Sequence, residues 1–216
     1  MASEYVQYGC GWCAPTGWLN FDASPALRFE RLPFVGAVYT KNAKRFPPHI
    51  RYGDITRGLP VAPNSCSAIY CSHILEHLAL DDFEAALQNT FKYLKPGGVL
   101  RLVVPDLAQL ARDYLADGSA QAAPRFMEAS GLGKNRRARG LRGLLSAWLG
   151  NSTHLWMWDE KAMTEQLKKH GFKNIRRAYF GDADDTKFNE VEEKGRFEGC
   201  LAMQCERQPG QVLASL

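Results

Sequence analysis

Two nearly continuous apolar runs, residues 66–72 (CSAIYCS) and 98–104 (GVLRLVV), constrain the fold of this chain more than any other feature. Runs of this length and composition are typical of strands buried on both faces of a sheet. Between them, Asp81 and Glu84 form a capping-box pattern, and the Lys-Pro-Gly-Gly at 95–98 is expected to end the helix that begins there. A buried strand, a helix and a second buried strand predict a parallel β-α-β unit.

The same alternation continues along the chain. Further helices are predicted from about Asp106 to Ala116 and from Asp159 to His170. Further strands are predicted at 5–9, 18–22, 49–54, 174–180 and 197–206. The last two are joined by a long polar segment, which indicates an antiparallel addition at the end of the sheet. We therefore predict an α/β protein with a mostly parallel sheet, in which residues 1–216 form one domain.

The composition is that of an ordinary globular protein and excludes several classes. Of the 216 residues, 45% are hydrophobic, which is enough for a full core without disulfides or metals. The N-terminus lacks the features of a signal peptide, and no run reaches the length of about 18 apolar residues that a membrane span needs. We therefore expect a cytoplasmic protein with six reduced cysteines. The net charge of +4 permits an anionic ligand. It is small for a nucleic-acid-binding protein, so we do not expect nucleic acid as a partner.

Cys10 and Cys13 form a C-x-x-C pair, a pattern that redox and zinc sites use. A thioredoxin-type site would need a long helix to begin at this pair, but Pro15 and Gly17 follow directly. A four-cysteine zinc site would need a second C-x-x-C pair, and the sequence contains none. We expect instead two small side chains in a tight turn.

Residues 119–150 fit the alternation poorly and are predicted to form a helical basic insertion or lid. A basic run is followed by an apolar stripe at helical spacing: Lys134, Arg136, Arg137, Arg139 and Arg142, then Leu141, Leu144, Leu145, Trp148 and Leu149. Such a segment can pack on the domain with a solvated basic face. It can also close over a substrate, bind an anionic group or lie on a membrane surface.

Glycines and acidic residues follow the early strands at the points where these strands end. Gly9 and Gly11 follow the first strand, Asp22 ends the second, Asp54 ends the third, and Ser72 ends the fourth. In open parallel sheets, ligands bind at the carboxyl ends of the strands. Glycine lets the backbone approach a ligand closely, and a carboxylate can accept hydrogen bonds from a ribose or an adenine amino group. Each residue alone is a weak signal, but together they indicate a nucleotide-like cofactor.

Several longer segments resemble the class I S-adenosylmethionine-dependent methyltransferases, type 11 branch. They are YGCG…GWLNFD, GDITRGLPVAPNSCSAIYCSHILEHL, LKPGGVLRLVVPD and HLWMWDEKAMTEQLKKHGF. The resemblance implies a Rossmann-like seven-stranded, mostly parallel sheet with an antiparallel last strand and helices on both faces. It also implies S-adenosylmethionine as the cofactor. The cofactor-binding residues that it implies, together with the strand ends, are Gly9, Cys10, Gly11, Asp22, Asp54, Ile55 and Ser72.

The first crossover departs from the pattern of this class. Cys13 stands where a third glycine is usual, and Gly11 is only 11 positions from Asp22. A parallel crossover normally needs about a dozen residues or more. The first crossover helix should therefore be a single turn or absent, which would leave the cofactor's entrance more open. An alternative to an enzyme is thus a non-catalytic or partner-dependent S-adenosylmethionine-binding module.

Residues 73–77 read His-x-x-Glu-His, which is also the signature of inverted zinc peptidases. A peptidase would need His73 and His77 on one face of a sustained helix, but a strand before them and a helix start after them leave little room. A metal-dependent hydrolase is therefore a remote alternative. Some methyltransferases that carry Glu-x-x-Glu-His here bind a divalent ion. That resemblance implies an alternative metal set of His73, Glu76, His77 and His154, whose nitrogen-rich character favours Zn²⁺, Mn²⁺ or Fe²⁺ over Mg²⁺.

In the metal-free interpretation, histidines act on the substrate directly. If a hydroxyl is the methyl acceptor, a base must remove its proton, and we predict His73 first and His154 second for this role. The substrate is expected to be a small molecule or a saccharide-type acceptor, methylated on oxygen or nitrogen. The basic run suggests an anionic group on it, and Trp148, Trp156 and Trp158 are candidates for an apolar pocket.

Overall fold

The structure is a computed structural model that describes residues 4–34, 36, 45–134 and 153–208. Seven strands form one sheet: β1 (Glu4–Tyr8), β2 (Leu19–Asp22), β3 (Arg51–Tyr52), β4 (Cys66–Ser72), β5 (Leu94–Pro105), β6 (Phe172–Arg177) and β7 (Cys200–Arg207). The described helices are α1 (Pro25–Glu30), α2 (Leu80–Tyr93), α3 (Leu107–Ala116), α4 (Ala122–Ala129) and α5 (Glu160–Lys169). Short 3-10 helices lie at Leu75–His77, Thr186–Glu190 and Lys194–Arg196.

The sheet has the strand order β3-β2-β1-β4-β5-β7-β6. The first five strands in this order pair in parallel, and β7 runs antiparallel to both of its neighbours. This is the predicted Rossmann-like sheet with an antiparallel last strand. Because the order reverses beside β1, the carboxyl ends of β1 and β4 meet at the point where such sheets bind ligands.

Both faces of the central strands are buried, as their continuous apolar sequences predicted. In β4, Ile69 and Cys71 point into the main core, to which α2 and α5 contribute, while Ala68 and Tyr70 point into a second core on the opposite face. On that second face Phe188 packs against the sheet, from a 3-10 helix and not from an α-helix. Within the described residues, no helix is long and apolar enough to span a membrane.

The helix between the two central strands begins earlier than predicted. Its N-cap is Ala79, and no side chain caps it, so the predicted capping box of Asp81 and Glu84 does not form. Asp81 lies in the first turn, where its charge favours the positive end of the helix dipole. Glu84 pairs instead with Lys169 of α5. The predicted helix starts at Asp106 and Asp159 are confirmed, since both residues are N-caps that accept backbone N–H groups of the helices that follow them.

The connection between β1 and β2 contains no helix, which confirms the expectation for the shortened crossover. Side-chain hydrogen bonds hold it instead: Gln7 Nε2 donates to Asn20 Oδ1 at 2.8 Å, and Asn20 Nδ2 donates to the Pro15 carbonyl at 2.9 Å. Cys10 and Cys13 lie in a turn closed by a hydrogen bond from Cys13 N to the Cys10 carbonyl. All six cysteines are free thiols.

The end of the chain differs in detail from the prediction. β6 ends at Arg177, so residues 178–180 are not part of the strand, and Tyr179 and Phe180 lie largely exposed in the turn that follows. Of the predicted insertion at 119–150, α4 and the residues up to Lys134 are described. The rest of its basic run and its apolar stripe lie outside the described residues. Trp158 is a core residue stacked on Phe83, not part of a ligand pocket.

Candidate active site

A glycine-rich turn follows β1 at the carboxyl edge of the sheet. Gly9 and Gly11 both have positive φ angles, +68° and +54°, a region that side chains disfavour. A Cβ atom on Gly9 would lie 2.0 Å from Cδ1 of Ile74, which packs against this turn from the end of β4. A Cβ atom on Gly11 would meet nothing within 4 Å. Gly9 is therefore required by close packing, whereas Gly11 presents bare backbone to open space.

Asp22 joins this turn to the end of β2. Its Oδ2 accepts a hydrogen bond from Gly11 N at 3.0 Å, and its Oδ1 accepts one from Ser24 N at 2.7 Å. The residue is 7% exposed. Each carboxylate oxygen has two lone pairs, so both keep capacity for a further donor. The structure thus brings Asp22 and Gly11 together, two residues that the sequence predicted for one site.

Cys10 lies between the two glycines and is buried. Burial first, and the neighbouring carboxylate of Asp22 second, raise the pKa of the Cys10 thiol to about 12. The side chain is therefore a neutral thiol and a poor nucleophile. This favours the turn interpretation of the C-x-x-C pair over a redox site.

The third and fourth strand ends contribute unequally. Asp54 is partly exposed and accepts hydrogen bonds from the backbone N–H and hydroxyl of Thr56. The side chain of Ile55 is buried in the main core, which leaves Asp54 as the more accessible of these two predicted cofactor-binding residues. Ser72 is buried at the end of β4, and its carbonyl accepts a 3.4 Å hydrogen bond from Arg196. The cofactor roles of these residues stay predictions.

His73 follows β4 in a left-handed conformation, with φ of +55°. Its Nε2 lies 3.1 Å from the carbonyl of Arg196 and 3.9 Å from Sγ of Cys200, while its Nδ1 lies 3.2 Å from Oε1 of Glu76. Burial alone would lower the pKa of His73, but the contacts with Cys200, Glu76 and the Arg196 carbonyl raise it to about 10. Both ring nitrogens face acceptors, which fits an imidazolium. In this form His73 must first lose a proton before it can act as the predicted base.

Glu76, His77 and His154 form a cluster just beyond His73. One ligand-type atom from each of the three lies within 4.8 Å of the other two. The rings of His77 and His154 are in edge-to-face contact at 4.9 Å. His73 and His77 do not share a helix face, because only Leu75–His77 is helical and it is a single 3-10 turn. The arrangement that an inverted zinc peptidase requires is therefore absent from this segment.

The segment 153–156 holds His154 in this cluster. The carbonyl of Glu76 accepts hydrogen bonds from the backbone N–H groups of Leu155 and Trp156, at 2.7 and 3.1 Å. His154 also bonds to the Ser130 carbonyl. The sequence predicted His154 for this site, but it gave no sign of Ser130, Arg196 or Cys200. These contacts arise between distant segments, and no local spacing encodes them.

The site and fold together define a class: an open parallel sheet with a glycine turn and an acidic residue at its switch point is built to bind a nucleotide-like cofactor. A family model described as a methyltransferase domain matches residues 6–177, and the chain belongs to this family. This agrees with the resemblance of the sequence to S-adenosylmethionine-dependent methyltransferases.

Solved structures superpose on this chain at low sequence identity, and the first of them has the same fold. An S-adenosylmethionine-dependent methyltransferase from Thermotoga maritima superposes with a TM-score of 0.50 at 14% identity, covering 96% of this chain and 84% of that one. Another from Methanosarcina mazei gives a TM-score of 0.49 at 16% identity, covering 95% and 92%. No curated protein matches this chain.

Proposed function

We propose that this protein transfers the methyl group of S-adenosylmethionine to an oxygen or nitrogen of a small-molecule or saccharide-type acceptor. The observation that carries this proposal is the bond between Asp22 and Gly11 at the carboxyl edge of β1 and β2, within a chain of the methyltransferase domain family. It supports a cofactor site in which bare backbone and a carboxylate lie side by side.

The residues fit the cofactor by chemistry. A ribose offers two hydroxyl donors, and Asp22 offers two acceptor oxygens with lone pairs left over. The open space above Gly11 admits the cofactor's amino-acid part close to the backbone. Asp54, at the next strand end, remains the predicted partner of the adenine. When bound, the sulfonium supplies an already reactive methyl group, so the protein's main task is to place a nucleophile in line roughly 3 Å away.

The direct test is calorimetric titration of the chelator-treated protein with S-adenosylhomocysteine. We expect micromolar binding, and Asp22→Asn should weaken it roughly 10-fold or more, because hydrogen bonds to a charged group contribute about 1.5–3 kcal/mol. Asp184→Asn, which replaces an exposed aspartate in the loop between β6 and β7, should bind like the wild type. If the wild type and both variants bind equally well, the proposed cofactor site is wrong. If the wild-type chain by itself does not bind, it is not an enzyme that works alone.

A second candidate is a cofactor-binding module that works only with a partner. The missing crossover helix between β1 and β2 favours it, because this segment would otherwise cover part of the cofactor. This function predicts no detectable S-adenosylhomocysteine affinity for the isolated chain. Micromolar binding by the isolated chain would exclude it.

A further inference from the structure

We propose that Glu76, His77 and His154 form a binding site for one divalent transition-metal ion, with His73 outside the ligand set. The proposal differs from the four-ligand set that the sequence resemblance implies. It rests on the burial of one carboxylate, the hydrogen bonds of two histidines and the backbone that holds them, and not on the proposed cofactor site.

The carboxylate of Glu76 is completely buried, with a side chain that is 0% exposed. Neither of its oxygens accepts a hydrogen bond of normal geometry. Among the described residues, its one ion-pair contact is with the ring of His73, whose Nδ1 lies 3.2 Å from Oε1. Burying a carboxylate with so few partners is costly unless another positive charge or donor compensates it. A metal ion bound by Glu76 would supply that compensation.

The two histidines are held in the form that binds metals. His77 Nδ1 lies 3.1 Å from the Thr153 carbonyl, and His154 Nδ1 lies 2.7 Å from the Ser130 carbonyl. A carbonyl only accepts, so each Nδ1 carries a proton, and in the neutral ring the lone pair then lies on Nε2. Metal-bound histidines usually donate their other ring N–H in this way, which fixes both the tautomer and the ring orientation.

The backbone around His154 is shaped for this position. Gly131 has a φ of +66°, and a Cβ atom there would lie 2.5 Å from Nδ1 of His154. Only glycine therefore lets the His154 ring reach the carbonyl of the buried Ser130. The two backbone hydrogen bonds from segment 153–156 to Glu76 connect the chain positions of two ligands directly. The site is thus largely pre-organised, although its ligands come from distant parts of the sequence.

The donor set selects the metal. Two imidazoles and one carboxylate suit Zn²⁺, Mn²⁺ or Fe²⁺ and leave coordination positions open, unlike a closed structural site. Metal–ligand bonds of about 2.1 Å place the ligand atoms roughly 3–4 Å from one another. The present separations extend to 4.8 Å, so the side chains must rotate slightly when the metal binds. With His154 as a ligand, its Nε2 is not available as the predicted base.

The test is a titration of the chelator-treated, full-length protein with Co²⁺, which reports its ligands through visible absorption, followed by competition with Zn²⁺. We expect one Co²⁺ per chain, displaced by Zn²⁺. Glu76→Gln, His77→Gln and His154→Gln should each weaken binding about 100-fold or more, since even outer-shell changes cost roughly 10–100-fold.

Two further variants sharpen the assignment. His49→Gln is the matched control, because the exposed His49 also bonds to a carbonyl, that of Ala14, but belongs to no group of metal-ligand residues in the part of the chain that the structure describes. It should leave Co²⁺ binding unchanged. His73→Gln should keep one Co²⁺ per chain with the same visible spectrum. Circular dichroism and thermal melts of the metal-free variants show whether each one folds, and His154→Gln, outside the core, is the variant expected to fold in any case.

Two outcomes would overturn the proposal. The first is a failure of the proposed ligand set: either the wild type retains no Co²⁺ or Zn²⁺ at micromolar free metal, or folded His154→Gln binds Co²⁺ as tightly as the wild type. The second is a loss in His73→Gln as large as that in His154→Gln, which would make His73 a ligand. Calorimetry with S-adenosylhomocysteine separates this proposal from the proposed function, because Asp22→Asn should lose cofactor affinity and keep the metal.

Discussion

At the scale of single residues, both the backbone conformation and the packing of Gly9 require glycine. Its φ of +68° and the Cδ1 atom of Ile74, 2.0 Å from any Cβ placed there, both exclude a side chain. We expect Gly9→Ala to destabilise the protein by about 2 kcal/mol, because the strain of the backbone adds to the displacement of the partly buried Ile74 side chain. Urea denaturation followed by circular dichroism measures this loss.

The control for Gly9→Ala is Gly118→Ala. Gly118 has no positive φ and nothing lies within 4 Å of its Cβ position, so alanine there should change stability by less than about 0.5 kcal/mol. Equal stability of the two variants would contradict the role assigned to Ile74.

Residue-scale prediction from sequence succeeded for placement, where a residue's location follows from its position on a strand. Gly9, Gly11 and Asp22 follow strand ends, so their meeting at one edge could be foreseen from the parallel topology. Ile74 and Gly131 could not be foreseen, because their importance lies in what packs against them from elsewhere in the chain.

At the scale of elements, a buried charge network fixes the segment between β6 and β7 onto the sheet. Arg101 of β5 is 1% exposed, and its guanidinium donates to Glu192 Oε1 at 2.8 Å and to Asp182 Oδ1 at 2.9 Å. We expect Glu192→Gln to destabilise the protein by about 3 kcal/mol, because it leaves a buried positive charge undercompensated. Urea denaturation at neutral pH measures this.

An exposed pair provides the comparison for this network. Glu160 pairs with Arg177 near the surface, and Glu160→Gln should cost less than about 1 kcal/mol. Similar losses in Glu160→Gln and Glu192→Gln would show that burial of Arg101 does not determine the cost.

Element types were more predictable than element ends. The predicted segments overlap all seven strands, although β3 covers only Arg51–Tyr52 of the predicted 49–54. The continuous apolar runs of β4 and β5 were the clearest of these signals. The start of α2 was missed because Asp81 is a residue type that commonly caps helices, whereas the residue at the N-cap position is Ala79, whose side chain cannot cap. The end of β6 was missed because aromatic residues such as Phe180 resemble strand residues even when exposed in a turn. The role of Arg101 was missed because it lies inside an apolar strand, and its ion-pair partners Asp182 and Glu192 come 81 and 91 residues later in the chain.

At the scale of the whole molecule, the antiparallel β7 brings its first residues next to the end of β4. Cys200 begins β7 and lies 3.9 Å from His73, so the last strand and its preceding loop form one wall of the candidate site. The Arg101 network that anchors this loop is therefore a condition for the site as well as for the core. A change of pH that weakens this network should therefore affect both the stability of the protein and the site.

Asp182 makes that stability depend on acid. Burial raises the pKa of Asp182, but hydrogen bonds from Arg176 and Arg101 outweigh it and leave the pKa below its usual value. A depressed folded-state pKa contributes stability above the unfolded value of about 3.9, and this contribution is lost as the pH falls through the folded value. We expect Asp182→Asn to be less stable than the wild type at neutral pH. The difference should shrink below about pH 4, because only the wild type loses the ion pairs there. Urea denaturation of both proteins across this pH range measures how the free energy of unfolding of each one changes with pH. If it changes equally in both, Asp182 is not the source of the acid sensitivity of this loop.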